Sequence, residues 1–542
     1  MKKKILSFIF TLVVLAIFAY VQLPVLKPDF TSFYVILIMF LALFGFLNLD
    51  FKASDMNPFS KTAKVCFGLA TLLVAYIFVV PFVTSTPFFH ANSYRTLLGD
   101  VVESDFNKDV SPVSVEDIRL VDEANARNLG VKKLGEVPGL GSVAQLGDFH
   151  IQSIQGELYW VAPIVHRDFI KWVTNLNGTN GYIMVSATNP QDVRFIQDVN
   201  GQPINITYQP NAYLHQDLAR HLYTHGFANI GLTDFTFEIN DEGKPYWIVT
   251  LYEHKVGFAG SDATGVATVD PATGEINRYS IEDAPSWIDR IQPEYFIESQ
   301  INSWGTYVNG YLNAMIAEEG VLKATPGTSL VYGDDGKSYW YTGITSSGSD
   351  DSTIGFILVN TRTKEAKLYK QPGATETAAM RSAEGKVQEK GYSATTPVMY
   401  NVLGSPTYVI SLKDKAGLIK MVAFVSVEDY SLVGLGETKQ EALKSYKEVL
   451  KSKGNNVNLG SSSGVKEVTG KVTRIGQDVQ GGTTYYYFTL DTLGNYILST
   501  TSAVSEEITL TEVGDEVTIS YETYGDTLDV SNFDNLAFKP AS

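Results

Sequence analysis

The histidines whose spacing comes closest to a metal site lie between residues 215 and 225. His221 and His225 are four residues apart, so a helix would place them on one face, as in H-E-x-x-H zinc sites. Position 222, where such a site carries its catalytic Glu, is Leu. Two interpretations stay open: surface or hydrogen-bonded histidines, or a zinc or copper site. The candidate ligands are His215, Asp217, His221 and His225.

Other patterns that could do chemistry lack part of what they need. Residues 460–464 match the G-x-S-x-G pattern of serine hydrolases but lie in a Gly- and Ser-rich linker, not between a strand and a helix. The acidic turns at 240–243, 334–336 and 350–351 lack the spacing and distal Glu of an EF-hand loop, which favours solvated turns over calcium sites. The sequence therefore predicts no catalytic residue and no cofactor.

Aromatic residues recur in a regular pattern. Tyr-Trp pairs stand at 159–160, 246–247 and 339–340, with a weaker copy at 406–411, and each is followed by a second strand-like run and a polar turn. Most of these rings are expected to lie in cores. Tyr246 and Trp247 are the candidates for ligand binding, since flat apolar rings with a polar edge can hold a glycan or a peptide.

These repeats predict small antiparallel β-meanders. Their strands are rich in β-branched and aromatic residues, and helical patterns with apolar stripes lie between them, as in 214–226 and after Pro293. A helix on each small sheet would bury its stripe, which gives a repeated α+β architecture. The predicted units are 143–208, 209–320 (with the long helix), 321–375 and 376–451.

The second unit resembles a known family. Its helix, its strand 245–249 and its run Val-Asp-Pro-Ala-Thr-Gly-Glu-Ile at 269–276 resemble the PepSY domains of extracytoplasmic bacterial proteins, best over about 209–281. A second copy, about 376–435, keeps the helix and strands but lacks the Asp-x-x-Thr-Gly-Glu turn. The whole chain also resembles membrane-anchored envelope proteins of Gram-positive bacteria. The resemblance implies binding, inhibition or regulation at the cell surface, and it supplies no catalytic residues.

The C-terminal part has a different character. Residues 452–464 read as a flexible linker, and 465–542 alternate apolar and polar residues in short strands, which predicts a small closed β-barrel. Gly514–Val517, together with the opening Gly470-Lys471-Val472, resembles OB-fold barrels. That resemblance implies binding of oligosaccharide or single-stranded nucleic acid, while a barrel used as a spacer or protein contact is the alternative.

The N-terminal region 1–88 carries three apolar runs, at about 5–23, 33–49 and 65–83. Each is near the ~20 residues that cross a bilayer, so we expect three spans, followed by a juxtamembrane connector at 89–142. A cleaved signal peptide is the alternative for the first run. The lysines that flank these runs predict a cytoplasmic N-terminus and an extracytoplasmic C-terminal domain. They are Lys2, Lys3, Lys4, Lys52, Lys61 and Lys64 on one side, against Lys27 on the other.

Composition limits the partners. The formal net charge of −17 argues against nucleic acid, because phosphate binding needs a basic surface. The single cysteine, Cys66, lies in the third apolar run, so the exported part has no thiol for a disulfide or a Cys-ligated metal.

The sequence therefore predicts a non-enzymatic binding or scaffold protein of the bacterial cell envelope, anchored by multiple spans. The expected partners are the lipid bilayer and an envelope protein or a cell-wall glycan or peptide, with homo-oligomers left open. An envelope hydrolase or protease regulator is the first alternative, and a transmembrane sensor is the second.

Overall fold

The computed structural model describes residues 2–49, 59–333, 335–346, 352–452, 466–480, 483–494, 496–502, 504–524 and 527–538. Within these ranges the chain has apolar N-terminal helices, a body with four antiparallel sheets and a closed β-barrel, which confirms the predicted α+β class. The predicted linker 452–464 lies outside the described residues from position 453 onward, as do the G-x-S-x-G pattern and the acidic pair 350–351.

Three apolar helices begin the chain: α1 (Lys2–Gln22), α2 (Thr31–Leu47) and α3 (Lys61–Ser85). Only α1 and α3 are long and apolar enough to cross a membrane by themselves. Helix α2 has 17 residues, about 25 Å at ~1.5 Å per residue, against a hydrocarbon core of ~30 Å. The prediction of three full-length spans is corrected accordingly. The second helix ends early because Asn48 caps it, with Nδ2 donating to the carbonyl of Phe44 at 2.8 Å.

The three helices pack side by side as an antiparallel bundle. Phe8 of α1 packs edge-on against Phe40 of α2, with ring centroids 5.7 Å apart. The α1–α2 loop and the end of α3 lie at the end that contacts the body, where Lys27 pairs with Glu253 at 2.7 Å. At the opposite end, Lys3 Nζ donates to the carbonyl of Leu49 at 3.0 Å. The two bundle ends therefore differ in charge and in contacts.

The connector and the first sheet follow. The connector contains α4 (Pro87–Arg95), β1 (Val101–Ser104), α5 (Phe106–Asp109), α6 (Glu123–Gly135) and α7 (Leu140–Val143). The region of sheet 1 contains β2 (Ala144–Leu146), β3 (His150–Ile154), β4 (Glu157–His166), α8 (Phe169–Thr174), β5 (Thr179–Asn180), β6 (Tyr182–Ser186), β7 (Val193–Ile196), β8 (Asp198–Val199), β9 (Gln202–Pro203) and β10 (Asn205–Ile206). Its central meander is β3-β4-β6-β7, with β2 also paired to β4.

Sheets 2 and 3 repeat this plan of a helix followed by a meander. Sheet 2 has α9 (Leu218–Leu222), β11 (Gly231–Ile239), β12 (Pro245–Val256), β13 (Ala259–Val269) and β14 (Ile276–Tyr279). The region of sheet 3 has α10 (Glu294–Thr306), α11 (Gly310–Leu312), β15 (Leu322–Ala324), β16 (Ser329–Tyr332), β17 (Ser338–Ser346), β18 (Ser352–Thr353), β19 (Gly355–Asn360), β20 (Ala366–Tyr369) and β21 (Gly373–Ala374). A π-helical turn follows α9 at Tyr223–Phe227, and another follows α11 at Asn313–Ala317.

Sheet 4 and the barrel complete the fold. Sheet 4 has α12 (Glu376–Lys386), β22 (Ser393–Ala394), β23 (Val398–Val402), β24 (Ser405–Lys413), β25 (Ile419–Ser426) and β26 (Val433–Gly436), and α13 (Lys439–Ser452) follows it. The barrel has β27 (Lys466–Gln480), β28 (Thr483–Leu490), β29 (Ile497–Thr501), β30 (Glu516–Tyr524) and β31 (Thr527–Asn535). It closes in the order β27-β28-β29-β31-β30, with β29 and β31 parallel.

One buried aromatic residue occupies the same register in all four meanders. The cross-strand pairs are Trp160↔Val185, Trp247↔Val269, Trp340↔Val359 and Tyr408↔Val425. Each of these rings donates a hydrogen bond of 2.7–3.1 Å to a carbonyl that precedes the helix of its own sheet, namely Val121, Tyr208, Gln292 and Ala374. In each of the four sheets, this aromatic residue therefore connects the sheet to the segment that leads into its helix.

The four sheets stack in the order 2, 1, 3, 4 and share their cores. One core lies between sheets 1 and 3 and includes Ile297 and Ile301 of α10. A second joins the other face of sheet 1 to sheet 2, and a third joins the other face of sheet 3 to sheet 4. Helix α13 covers the outer face of sheet 4. Since sheets 1 and 3 are covered on both faces, strands such as β6 and β19 are buried at every position.

Candidate functional site

The predicted histidine group lies where sheet 2 meets the end of α1, and its members face different ways. The predicted helix 214–226 is only five residues long, because a 3₁₀ turn precedes α9 and a π-helical turn with Gly226 at φ 102° ends it. His221 is buried in the wall of an open pocket of about 680 Å³, while His215 and His225 are exposed. Asp217 caps α9 by accepting from the amide of Arg220 at 2.8 Å.

The ring nitrogens of this group are engaged with the backbone. His221 Nε2 donates to the carbonyl of Gly274 at 2.7 Å, and His225 Nδ1 donates to the carbonyl of His221, also at 2.7 Å. A nitrogen that donates to a carbonyl carries a proton and cannot ligate a metal through that atom. Burial lowers the pKa of His221. Among the described residues, no group of three or more His, Cys, Asp and Glu side chains is placed to hold a metal ion.

The predicted ligand-binding pair is split by the pleat of β12. Trp247 is 3% exposed, and its indole N–H donates to the carbonyl of Tyr208 at 2.8 Å, so Trp247 is inaccessible to a ligand from solution. Tyr246 points to the other face, where it packs on Trp287 with ring centroids 5.2 Å apart. Alternation of side chains along a strand separates such neighbours. Of the pair, Tyr246 alone keeps an accessible edge.

A second candidate site is a cavity of about 1230 Å³ that the sequence analysis did not predict, here called the central cavity. Its walls come from four regions: residues 106–117, the turns of sheet 1, the β16–β17 region of sheet 3, and sheet 4 with Lys439. The segment 101–121 holds these walls together. Strand β1 pairs in parallel with β20, the amide of Val113 donates to Asn401 O at 2.8 Å, and Leu120 donates to Ala187 O, also at 2.8 Å.

One wall of the central cavity, here called the floor, is held by the ion pair of Asp109 with Lys367. Asp109 Oδ2 accepts from Lys367 Nζ at 2.8 Å, from Tyr369 OH at 3.1 Å and from Ser104 Oγ at 2.7 Å. The hydrogen bond from Lys367 is the main reason that the pKa of Asp109 lies below its usual value. This floor joins the 101–121 segment to sheet 3 by charge as well as by strand pairing.

The opposite wall belongs to sheet 1. Arg194 forms a two-pronged pair with Asp192, at 2.8 and 2.6 Å, and lies over the ring of Tyr159 at 5.4 Å. Glu157 accepts a 2.5 Å hydrogen bond from Tyr159 OH. Bidentate pairs of this kind hold both partners in fixed positions. The wall is therefore a polar surface formed by the start of β4 and the turn that leads into β7.

The described lining of the central cavity is acidic overall. Its carboxylates are Asp109, Glu116, Asp117, Glu157, Asp192 and Asp335, against the cations Arg194, Lys367 and Lys439. Lys439 is turned to the backbone, since its Nζ donates to the carbonyl of Glu116 at 2.8 Å, and burial lowers its pKa. Among the described residues, Asp117 and Glu157 have no basic side chain within 4.0 Å. Lys439 and Arg194 act on these two carboxylates only at longer range. The excess of carboxylates over cations in the lining attracts a cationic group.

No family model matches the chain, and no curated protein matches it. The site is therefore judged by its geometry alone. One sequence signal could have pointed to the central cavity: the polar turn that follows the second strand of each repeat. In sheet 1, residues of this turn (186–194) line the wall of the cavity.

Proposed function

We propose that this chain is a membrane-anchored binding or scaffold protein of the bacterial cell envelope, and that it binds its ligand in the central cavity. The observation that carries this proposal is the size of the cavity, about 1230 Å³, together with a lining drawn from four separate parts of the chain. Ligand sites are concave, largely preformed and few per protein. The ligand is an envelope protein segment or a cell-wall fragment.

The lining indicates the chemistry of the ligand. Six carboxylates stand against three cations among the described lining residues, and two of the three cations are already paired with Asp109 and Asp192. Tyrosines at 332, 339, 369 and 400 add rings with polar edges. A polar peptide that bears an amine, such as a cell-wall stem peptide or a lysine-containing protein segment, complements this surface. The acidic lining is unfavourable for nucleic acid.

Binding is favoured over hydrolysis because no histidine or cysteine is among the lining residues that the structure describes, whereas Ser114, Ser153 and Ser186 are. A serine nucleophile needs an adjacent base. The envelope hydrolase or protease regulator remains the alternative, and the same experiment decides between them.

Membrane anchorage rests on the bundle. The outward surfaces of α1 and α3 are apolar, with Leu6 and Phe78 among their most exposed side chains, and lipid is the medium that such surfaces fit. Because the α1–α2 loop and the end of α3 contact the body, a bundle whose two long helices α1 and α3 both cross the membrane puts the body on one side. Lys2, Lys3, Lys4, Lys61 and Lys64 lie at the other end. We propose that this end is cytoplasmic, by the positive-inside rule.

The family resemblances enter this proposal as support for a binding role. Each meander with its preceding helix is the arrangement expected of PepSY-like units. In sheet 2, Asp270 stabilises the turn after β13 by accepting from the amides of Ala272 and Thr273, both at 2.9 Å. The barrel has five strands and one parallel pair, which fits an OB-like barrel used for a glycan or for protein contact.

The binding test uses the full chain in lipid nanodiscs and amine-bearing cell-wall fragments released by a muramidase. Titration calorimetry is expected to show binding that weakens at least ten-fold in the double variant Asp117→Asn, Glu157→Gln, and also when the fragments are N-acetylated. The matched control is Glu275→Gln in the histidine pocket, which should bind like the parent. Equal affinity for the double variant and the parent would refute the cavity as the site, and cleaved fragments in the mass spectrum would establish the hydrolase.

Sidedness has a separate test. In a Cys66→Ser chain, a cysteine placed at Glu242 on the β11–β12 turn should react with an impermeant thiol reagent on intact cells. Reaction only after lysis would place the body in the cytoplasm. The transmembrane sensor, the second alternative, requires a cytoplasmic partner at the lysine-rich bundle end, and crosslinking from Lys61 would recover it.

A further inference from the structure

Two exposed apolar surfaces on the body lie beside the bundle. The first, called the α4 patch, consists of Phe88 and Phe89 on α4 with Leu312, Met315 and Ile316 on α11 and its π-helical turn. Phe88 is 57% exposed and Ile316 79% exposed. The three residues from 312 to 316 are spaced to share one helix face, and Phe88 contacts the ring of Tyr311 next to them, with centroids 5.4 Å apart.

The α4 patch continues the lipid-facing surface of α3. The backbone bends at Thr86, which is extended, so α4 leaves the axis of α3. Across this bend the ring of Phe89 packs against Phe82 of α3, with centroids 6.2 Å apart, and Phe82 is itself exposed. Arg95 at the end of α4 donates to the carbonyl of Val308 at 2.6 Å, which fixes α4 to the 310–317 helix. The apolar surface therefore runs from a spanning helix onto the body without a break.

The second surface, called the α8 patch, consists of Phe169, Ile170 and Val173 on α8 with Tyr213 and Leu214. Ile170 is 61% exposed, and the ring of Phe169 packs edge-on against Tyr213 at 5.1 Å. Leu214 has φ 53°, a left-handed conformation that is strained for a leucine, and its side chain is exposed. The sequence stripe at 214, 218 and 222 predicted a buried Leu214, which is wrong.

The α8 patch is tied to the end of α1. Arg220 Nη1 donates to the carbonyl of Leu214 at 3.0 Å, and its Nε donates to the carbonyl of Tyr20 at 2.9 Å. The guanidinium also lies over the ring of Tyr20 at 4.9 Å. One side chain therefore links the patch to the last turn of a spanning helix. The two patches are joined to the body-facing ends of α1 and α3, which are the two long spans.

We propose that the α4 and α8 patches rest in the interfacial layer of the bilayer that the bundle crosses, so that the body is held against the lipid at two points besides its anchor. This inference rests on the proposed membrane anchorage. Continuity with α3 and the link to α1 favour lipid over a protein partner, because a surface that begins on a spanning helix is already at the height of the headgroups. Aromatic and aliphatic side chains at that height partition into the interface.

The experiment uses the full Cys66→Ser chain in phosphatidylcholine–phosphatidylglycerol vesicles. Single cysteines are placed at Ile316, at Ile170, at Phe82 as the lipid-exposed reference, and at Glu242 as the solvent reference. Glu242 is exposed and lies just before β12, which has 12 residues. The opposite end of β12 leads into the hairpin that contacts the bundle. Glu242 therefore lies roughly 35–40 Å from that hairpin. Each cysteine carries a bimane label, and quenching is measured with lipids brominated near the glycerol backbone.

Labels at Ile316, Ile170 and Phe82 should be quenched at least two-fold, and the label at Glu242 should not. Quenching at Phe82 without quenching at Ile316 and Ile170 would overturn the inference and leave membrane anchorage standing. Loss of quenching at Phe82 as well would overturn the anchorage itself. Disulfide crosslinking of Ile316→Cys or Ile170→Cys chains to one another, without lipid quenching, would identify a second copy as the occupant and would also overturn the inference.

Discussion

The four-sheet body and the C-terminal barrel bury their apolar residues in different ways. In the body, each sheet shares its faces with neighbours, so that Trp160 of sheet 1 and Trp340 of sheet 3 lie in one core. The barrel closes on itself and has a core of its own that includes Phe488 and Phe533. Its described contact with the body is made at α13, where Tyr485 OH donates to Glu448. The body should unfold as one block, and the barrel should unfold by itself.

The shared cores predict that the repeats do not unfold as separate domains. A sheet with both faces covered loses a core on each side when a neighbour is removed, as sheets 1 and 3 would. A closed barrel has no open edge or uncovered inner face to lose. The following predictions test this difference, from the largest expected effect to the smallest.

Trp340→Ala should destabilise the body by about 3–5 kcal/mol, because it leaves a cavity between sheets 1 and 3 and removes the hydrogen bond to Gln292. Hydrogen exchange should show faster exchange in sheets 1 and 3 together, with barrel amides unchanged. Trp340→Phe is the milder control: it keeps one aromatic ring but loses the N–H donor and part of the buried ring volume, at about 1–3 kcal/mol. Faster exchange confined to sheet 3 would contradict a shared core.

Two buried carboxyls of the body and one carboxyl of the barrel should respond to pH in opposite directions. Burial raises the pKa of Glu238 to about 8 and that of Asp289 to about 6, at the junction of sheets 1, 2 and 3. The protonated forms stabilise the fold, so this contribution is complete below about pH 4 and is lost as the pH rises through 6 and 8. The loss is of the order of a few kcal/mol, since one pKa unit is worth about 1.4 kcal/mol.

In the barrel, hydrogen bonds from the amide of Glu512 and from Asn535 lower the pKa of Asp515. Its contribution is present above its ordinary value near 3.8 and is lost as the pH falls below it. Exchange rates, measured from pH 3 to pH 9 and corrected for intrinsic chemistry, should therefore rise toward high pH around Glu238 and Asp289 and toward low pH around Asp515. Glu238→Gln should flatten the body's alkaline loss, and an unchanged slope in that variant would exclude Glu238 as its source.

Gly434→Ala should destabilise the packing of α13 on sheet 4 by about 1–3 kcal/mol, because the added Cβ would lie 2.3 Å from the amide nitrogen of Tyr446. Since α13 carries the contact to the barrel, loosening it should increase proteolysis between body and barrel while leaving the barrel folded. Gly385→Ala on α12 is the matched control, because a Cβ there meets nothing within 4 Å. Equal proteolysis of the two variants would argue against α13 as the joint.

Thr375→Ala should cost about 1 kcal/mol, since Thr375 caps α12 by accepting from the amide of Ala378 at 3.1 Å. Thr375→Ser keeps the acceptor and should restore most of the stability in thermal unfolding of the body. The barrel transition should not move in either variant. A shift of the barrel transition would show that the two regions are coupled more tightly than their contacts indicate.

The repeats and the barrel could be predicted because they depend on local pattern. The Tyr-Trp register and the polar turns repeat in the sequence, and the alternation after residue 465 indicates a closed sheet. The stacking order of the sheets could not be predicted. Strands that are covered on both faces are apolar on both, so their sequence does not indicate which sheet packs on which face. The sequence pattern places the long helix after Pro293 in the unit 209–320, and in the structure its residues Ile297 and Ile301 lie between sheets 1 and 3.

The candidate site was missed for a related reason. The central cavity brings together residues as distant in sequence as Asp109 and Lys367. A short sequence motif cannot indicate a contact between residues so far apart. The histidines were conspicuous by spacing, but Gly226 and the π-helical turn end the helix that the spacing assumed. The sequence analysis predicts Trp247 as a ligand-binding residue because of its flat ring. In the structure this ring is buried and connects sheet 2 to the segment before α9.

The parallel pairing of β1 with β20 has a consequence for biogenesis. Val101 finds its partner only after Ala366 has been synthesised, and Val113 finds its partner only after Asn401. The stretch from 101 to 113 therefore stays without these native partners while most of the body is still being synthesised. A chaperone or a protease would act on this unpaired stretch first. Pulse-labelled chains truncated before Ala366 should be degraded faster than chains that extend past residue 436.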